Sequence, residues 1–302
     1  MSKKMVVVGG AGFIGSHITD TLVGEGYEVH VIDNLVGGKR EHVNEQAVFH
    51  KEDIRNLDAI MPIIEGADSV FHLAALPRVQ FSIDYPIETN SVNIDGLLNV
   101  LVAAQKGGVR RVVYSASSSA YGEQETLPFV ETMSPDPLSP YGLQKYVGEL
   151  YCRVFAKVYS LETVSLRYFN VYGSRFDPEG PYALVIGKFL ALKASGKPLT
   201  VTGDGTQTRD FTHVRDVVRA NILASKSKSV GAGEALNIGA GNNVSILDLA
   251  HMISDDIEHV RARLEPHDTL ANTTLAKELL GWEPTITLSD GVNELMEEAG
   301  LL

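Results

Sequence analysis

Tyr141 and Lys145, four positions apart, are the side chains of this chain best suited to moving a proton. Four residues apart on a helix share a face. An ammonium beside a phenol favours the phenolate. That draws a hydroxyl with an ordinary pKa of about 10 toward the range of a general base. Pro140, just before the pair, is a residue of helix starts, and Tyr141–Tyr159 reads as one long helix. A third hydroxyl belongs with them. Ser117 lies in the run Ser115-Ala116-Ser117-Ser118-Ser119-Ala120-Tyr121-Gly122, which follows an apolar stretch. At the carboxyl end of a strand in an open α/β sheet, such a hydroxyl faces the ligand crevice and can share a proton with the ligand. Singly, a Tyr and Lys at this spacing arise by chance and a serine run is an ordinary loop. Together they form a proton-transfer group.

A second constellation stands near the start of the chain. Gly9-Gly10-Ala11-Gly12-Phe13-Ile14-Gly15 directly follows Met5–Val8 and opens a helical pattern. This strand-to-helix context separates a dinucleotide loop from an ordinary glycine turn. One glycine permits the tight turn, one lets backbone approach a pyrophosphate, and one lets helix and strand pack closely. The helix end adds unpaired N–H groups and partial positive charge. Asp33 follows Gly15 by 18 positions, at the end of the second strand. A carboxylate there accepts from ribose hydroxyls and repels a 2′-phosphate, so NAD is expected over NADP. Lys39 and Arg40 read as solvated loop charges. Asp53 and Ile54 are expected near adenine. Leu73-Ala74-Ala75 ends the fourth strand, with small alanines where backbone passes close to the cofactor.

These groups need a frame. Met5–Val8, Val29–Ile32, Val48–His50, Ser69–Leu73, Val112–Ser115 and Val164–Tyr168 read as buried strands. Ile14–Val23, Leu57–Ile64, Val92–Gln105 and Tyr141–Tyr159 read as helices between them. The alternation predicts an α/β, doubly wound parallel sheet of the Rossmann kind. Beyond Asn170 the rhythm loosens at Pro178, Gly180 and Pro181. Helices are then expected at Tyr182–Ser195, Arg215–Ala224, Ile246–Ile257, Leu275–Leu280 and Ser289–Glu298, and a strand at Leu199–Thr202. The expected organisation is an NAD-binding domain over 1–170 and a smaller mixed α/β substrate-binding lobe over 171–302. A segment at about 205–240 returns to the first domain, with Glu234–Ile238 rejoining its sheet.

The 302 residues carry 26 Lys plus Arg against 38 Asp plus Glu, a net charge of −12, which argues against nucleic acid and anionic membranes as partners. A small anionic ligand remains compatible, held by a few arginines and backbone N–H groups. With one cysteine, Cys152, neither a disulfide framework nor a thiolate metal cluster can form within the chain, and no metal is expected. No leader pattern precedes Met5, and no apolar run reaches the roughly 20 residues of a membrane span. A cytoplasmic protein is expected.

The chain resembles the extended short-chain dehydrogenase/reductases, and within them the UDP-hexose 4-epimerases. The resemblance covers nearly the whole chain. It rests on the glycine loop, Asp33-Asn34-Leu35, His72-Leu73-Ala74-Ala75, Tyr141 with Lys145, Leu166-Arg167-Tyr168-Phe169-Asn170 and Arg209-Asp210-Phe211-Thr212-His213. It implies that Tyr141 takes the proton of the sugar 4-hydroxyl, Lys145 lowers its pKa and holds the nicotinamide ribose, and Ser117 bonds the 4-oxygen. Hydride passes from carbon 4 to NAD, and the transient 4-keto sugar takes it back on its other face. Asn34, Asn93, Ser115 and Tyr168 join the implied cofactor contacts. Asn170 and Arg209 are implied to meet the diphosphate, and Leu184, Val185 and Thr200–Thr202 to cradle uracil. Either Arg261 or Arg263 supplies a second diphosphate contact. For Arg209-Asp210 a surface ion pair is the competing reading.

Related activities differ at one place. The 4,6-dehydratases carry Asp-Glu directly after the active-site hydroxyl, and the UDP-glucuronate decarboxylases a Glu at the second position. Here those places are Ser118 and Ser119, which favours simple epimerisation. A dehydratase, decarboxylase or net 4-reductase is the alternative, and a non-catalytic dinucleotide-binding protein a more distant one. At the place where a bulky aromatic excludes N-acetyl sugars stands Thr269. UDP-GlcNAc/UDP-GalNAc is therefore expected beside UDP-Glc/UDP-Gal. Gln144 stands where the family has a small Ser, a departure expected to matter little. The resemblance also implies a homodimer paired through Val92–Gln105 and Tyr141–Tyr159. The first of these is more apolar than one buried face requires, and full burial in the monomer is the competing explanation.

Overall fold

The computed structural model describes residues 2–176, 185–261 and 267–302. Its strands are β1 (Lys4–Val8), β2 (Glu28–Ile32), β3 (Val48–His50), β4 (Ser69–His72), β5 (Arg111–Ser117), β6 (Glu162–Tyr168), β7 (Val171–Tyr172), β8 (Leu199–Thr202), β9 (Thr208–Asp210), β10 (Thr212–His213), β11 (Ala232–Ile238), β12 (Asn243–Ser245) and β13 (Ile257–Val260). Its helices are α1 (Phe13–Gly24), α2 (Leu57–Ile64), α3 (Val79–Asp84), α4 (Pro86–Asn90), α5 (Gly96–Lys106), α6 (Pro140–Tyr159), α7 (Val185–Ala194), α8 (Val214–Lys226), α9 (Ile246–Ile253), α10 (Thr274–Leu280) and α11 (Leu288–Glu298).

Seven strands form one sheet in the order β11-β6-β5-β4-β1-β2-β3. Every pairing in it is parallel, as the strand–helix alternation requires. The order reverses between β1 and β4, where such sheets hold ligands beyond their carboxyl ends. Strands buried on both faces read as continuous apolar runs, and Val6, Val7 and Val8 are fully buried. One face packs on α1 and α8 through residues such as Ile18, Leu22 and Val217. The other packs on α2 and α5 through Ile60, Ile64, Leu97 and Leu101. A third core, with Phe189, Leu199, Phe211, Leu249 and Leu295, lies beneath α7, α9 and α11. There the sheets are two-stranded: β10 with β7, β12 with β9 and β13 with β8.

Three sequence expectations are corrected. The expected strand Ser69–Leu73 ends at His72, and Leu73 instead starts a turn whose N–H donates to the Val8 carbonyl (2.8 Å). The expected helix Ile246–Ile257 ends at Ile253, because Ile257 opens β13 alongside Leu199. Apolar spacing alone did not separate a helix end from a short buried strand. The helix expected from Val92 to Gln105 divides into a wide i→i+5 turn over Ser91–Asp95 and then α5. Such wide turns re-aim side chains and recur at functional sites. Of the expected helix Tyr182–Ser195, Val185–Ala194 is helical and the start lies outside the described residues.

Candidate active site

The turn after β1 is tight for a steric reason. Gly9 has φ +85°, and a Cβ there would sit 2.5 Å from the Ala74 nitrogen. A Cβ on Gly15 would fall 2.2 Å from the Gly9 carbonyl oxygen. Only glycines let this loop pass between the start of α1 and the turn after β4. Gly12 caps α1 with no side-chain hydrogen bond, so Phe13 and Ile14 begin the helix without a side chain across its end. A helix end of this kind fits a pyrophosphate. Asp33 is buried beside it. Its Oδ2 accepts from the Ala11 N–H (3.0 Å) and its Oδ1 from the Leu35 N–H (2.8 Å). Burial raises its pKa while these two donors oppose the rise. Asn34 donates to Asp53 Oδ2 (3.2 Å), and Arg55 grips the same carboxylate, holding Asp53 down at about 2. Ile54 is buried and packs on Gly96. These donors and small residues fit a dinucleotide along the switch point.

The next layer is the mouth of β5 and the first turn of α6. Ser139 caps α6, its Oγ accepting from the Gly142 N–H (3.1 Å), and Pro140 opens it. Tyr141 and Lys145 lie on one face, with the Lys145 Nζ 5.9 Å from the Tyr141 ring centre. Ser117 lies close enough to Tyr141 to favour its phenolate, and its Oγ bonds Ser119 Oγ (3.1 Å). Lys145 donates to the Ser115 carbonyl (2.6 Å) and lies 5.0 Å from the centre of the Tyr114 ring. The three expected residues are therefore brought together. The expected lowering of the Tyr141 pKa by Lys145 is not what this structure holds. Burial pushes Tyr141 up to about 12, against the pull of Ser117. Burial also pushes Lys145 down to about 8, against the pull of Cys152 and Glu149. Lys145 is buried while Tyr141 is half-buried, and the Lys145 ammonium spends a hydrogen bond on Ser115.

Glu149, one turn beyond Lys145, is paired with Arg167 of β6 by two bonds of 2.9 and 2.6 Å. Both side chains are buried, and the Arg167 guanidinium stacks 4.6 Å from the centre of the Tyr121 ring. Removing one partner of such a pair costs about 3–5 kcal/mol, so it locks the register of α6 on the sheet.

Other expected contacts have more specific surroundings. Asn93 receives the Leu76 N–H on Oδ1 (2.7 Å) and donates to the Leu76 carbonyl (3.2 Å), so it clamps the turn that holds Leu73, Ala74 and Ala75. Tyr168 is buried and turns its hydroxyl to Asn221 (2.9 Å). Asn170 has φ +27° and donates to the Asp210 carbonyl (3.0 Å) and to Thr269 Oγ1 (3.4 Å). Arg209 donates to the Thr208 and His267 carbonyls (2.8 and 2.9 Å). The surface ion pair considered for Arg209-Asp210 does not exist as such. Asp210 is fully buried and accepts from the N–H groups of Ala240 (2.6 Å), Gly241 (3.0 Å) and Ala271 (3.0 Å). Burial still raises its pKa to about 6. Val185 begins α7, while Thr200 and Thr202 lie half-buried on β8. Arg261 is exposed, and Leu184 and Arg263 lie outside the described residues.

Gln144 is the residue the sequence undervalued. It is buried, and both ends of its amide are bonded, to Asn93 (2.7 Å) and to Thr89 (3.0 Å). Ser82 was missed altogether: its Oγ accepts from the Tyr141 N–H (3.0 Å). No local pattern marks such a serine, because its partner lies 59 positions away.

Among the described residues, no helix is long and apolar enough to cross a membrane. Residues 5–239 match the NAD dependent epimerase/dehydratase family. The chain is similar to a solved UDP-glucose 4-epimerase from Thermotoga maritima in complex with UDP-glucose, at 38% identity and a TM-score of 0.93, covering 97% of both chains. It is similar to a UDP-N-acetylglucosamine 4-epimerase from Methanobrevibacter ruminantium in complex with UDP-N-acetylmuramic acid, at 35% identity and a TM-score of 0.92, covering 98% of this chain and 99% of that one. A UDP-N-acetyl-alpha-D-glucosaminuronate decarboxylase from Bacillus cytotoxicus is 34% identical over 321 residues, with 98% of each covered. With a glycine cradle at the switch point, a Tyr–Lys–Ser group beside it and a family match spanning most of its length, the chain belongs to the NAD dependent epimerase/dehydratase family.

Proposed function

We propose that this chain is an NAD-dependent 4-epimerase of UDP-hexoses, acting on UDP-Glc/UDP-Gal and also on UDP-GlcNAc/UDP-GalNAc. The observation that carries the reading is the convergence of Tyr141, Lys145 and Ser117 beside the glycine cradle, with Ser119 rather than a carboxylic acid against the Ser117 hydroxyl. NAD, when bound, supplies a hydride acceptor and donor at carbon 4. Gly9, Gly12, Gly15 and the N–H groups of Phe13 and Ile14 would hold its pyrophosphate, and Asp33 its adenosine ribose. Asn34, Asp53 and Ile54 would border adenine, and Leu73, Ala74, Ala75, Asn93, Ser115 and Tyr168 the nicotinamide side.

In this reading Ser117 bonds the sugar 4-oxygen and Tyr141 moves the hydroxyl proton. Burial keeps Tyr141 protonated, and the Ser117 hydroxyl is what favours the phenolate against it. Asn170, Arg209, Val185, Thr200 and Thr202 would hold the nucleotide, joined by Leu184 and by Arg261 or Arg263. Thr269 would leave room for an N-acetyl group. Thr269→Tyr is expected to abolish turnover of the acetylated pair selectively; equal loss on both pairs would overturn that assignment. Ser118 and Ser119 weigh against dehydration and decarboxylation, which need a carboxylic acid at those places. Incubation with UDP-glucose, resolved by chromatography, is expected to yield UDP-galactose with no lasting absorbance at 340 nm, and incubation with UDP-glucuronate, which carries the carboxylate a decarboxylase needs, to release no carbon dioxide. Release of carbon dioxide, loss of water or net consumption of NADH would point to the alternatives.

The division into an NAD-binding domain over 1–170 and a nucleotide-sugar lobe over 171–302, with about 205–240 returning, belongs to the same proposal. So does a homodimer. Leu143, Leu150, Val154 and Val158 form one exposed apolar stripe along α6, while Leu97, Val100 and Leu101 of α5 are used up in the core. A sedimentation run giving a monomer at micromolar concentration would refute the dimer. A reducing, cytoplasmic setting suits a chain whose one cysteine, Cys152, is buried and free.

A further inference from the structure

Between the catalytic helix and the turn after β4 runs a buried chain of hydrogen bonds with one polarity. It begins at Leu76, whose N–H and carbonyl both pair with the Asn93 amide (2.7 and 3.2 Å). That double contact fixes which end of Asn93 is oxygen and which is nitrogen. Asn93 Nδ2 then donates to Gln144 Oε1 (2.7 Å), and Gln144 Nε2 donates to Thr89 Oγ1 (3.0 Å). Thr89 in turn directs its proton to the carbonyls of Tyr85 and Pro86 (3.2 Å each), so it offers Gln144 only a lone pair. The position between Tyr141 and Lys145 therefore needs an acceptor toward Asn93 and a donor toward Thr89. A glutamine meets both demands. A serine is too short, and a carboxylate lacks the donor.

The far end of this chain bears on the cofactor crevice. Ala74, two residues before Leu76, donates to the Val8 carbonyl (3.0 Å) and lies where a Gly9 Cβ would clash with it. We propose that Gln144 is a positioning residue that, through Asn93, holds the Leu73–Leu76 turn in register with Tyr141 and Lys145, keeping cofactor and base at a fixed separation. The inference rests on the site being the NAD-dependent one proposed above. It assigns Gln144 no contact with either ligand.

The test uses Gln144→Met, similar in size but without hydrogen bonds, and Gln144→Glu. The first readout is the rate at which NAD leaves the purified full-length protein, which needs no sugar substrate. In Gln144→Met that rate is expected to rise about tenfold or more at every pH, with kcat falling similarly and KM for the sugar nucleotide less affected, as loss of positioning predicts. Gln144→Glu is expected to behave like the parent at acid pH, where a protonated carboxyl can both accept and donate. It should come to resemble Gln144→Met as pH rises and the carboxyl ionises. Parent-like NAD release in Gln144→Met overturns the proposal, as does a Gln144→Glu profile that tracks Gln144→Met at every pH. If Gln144→Met does not fold, Thr89→Val, which removes the hydroxyl that accepts from Gln144 and donates to the Tyr85 and Pro86 carbonyls, replaces it in the release assay, and parent-like release overturns the proposal there too. A parent that retains NAD but epimerises no sugar would refute the functional reading while leaving the release assay to decide this one.

Discussion

From Gly9 to Asp33 the crevice is shaped by backbone: strands in a parallel sheet, glycines under steric demand and the bare end of α1. From Asn170 to Thr269 it is shaped by side chains. There, apart from β11, the described strands pair in twos, and Asp210 gathers the backbone of Ala240, Gly241 and Ala271 around one buried carboxylate. The first arrangement suits a ligand that stays the same. The second lets single substitutions reshape what is bound, since each stitch is one side chain. The comparison teaches that changes in the two regions should separate cleanly into effects on NAD and effects on the nucleotide sugar.

The largest expected effect comes from Gly15→Val. Its Cβ would enter the Gly9 carbonyl, so NAD retention should be lost, as measured by absorbance of the purified protein. Retained NAD would break the backbone account of this half. Tyr141→Phe should lower kcat by about 10²–10⁴-fold while NAD stays bound, because it removes only the proton carrier. In the cofactor-free protein, Lys145→Met should be more stable than the parent at pH 7, by on the order of 2–3 kcal/mol. The sign follows from a folded-state pKa of about 8 against an ordinary 10.5. Lys145 contributes full stability above about 10.5 and loses it as pH falls through about 8, so the gap should close in alkali. Thermal melts from pH 7 to 10.5 would check this.

Asp210→Asn puts an amide nitrogen against a backbone N–H and should cost about 1–3 kcal/mol. It should raise KM for the UDP-sugar and leave NAD retention unchanged. An equal loss of NAD would show that the two regions are one mechanical unit. The smallest effect belongs to Gly24→Ala, in the same helix as Gly15. A Cβ there meets nothing, so a gain of about 0.4–1 kcal/mol is expected.

What the sequence made legible follows the same division. Strands β1, β2 and β3, helix α1 and the Tyr141–Lys145–Ser117 group were readable because backbone demands leave local marks. Valine runs, required glycines and a helix-start proline are such marks. Gln144 was not, because its partners Asn93 and Thr89 come from another helical segment and only the fold brings them near. For Asp210 the sequence offered nothing beyond a competing reading as a surface ion pair with its neighbour. Its true partners lie 30 or more positions away, on segments with no motif of their own. The end of α9 escaped notice because the apolar residues of a short strand continue the spacing of the helix before it.

The most direct test of the central claim uses the purified protein with no added cofactor. It is incubated separately with UDP-Glc and UDP-GlcNAc, and the products are resolved by proton NMR. UDP-Gal from the first and UDP-GalNAc from the second are predicted, with no net consumption of the NAD that the glycine cradle would hold. No product from either sugar, even after NAD⁺ is supplied, would contradict the account.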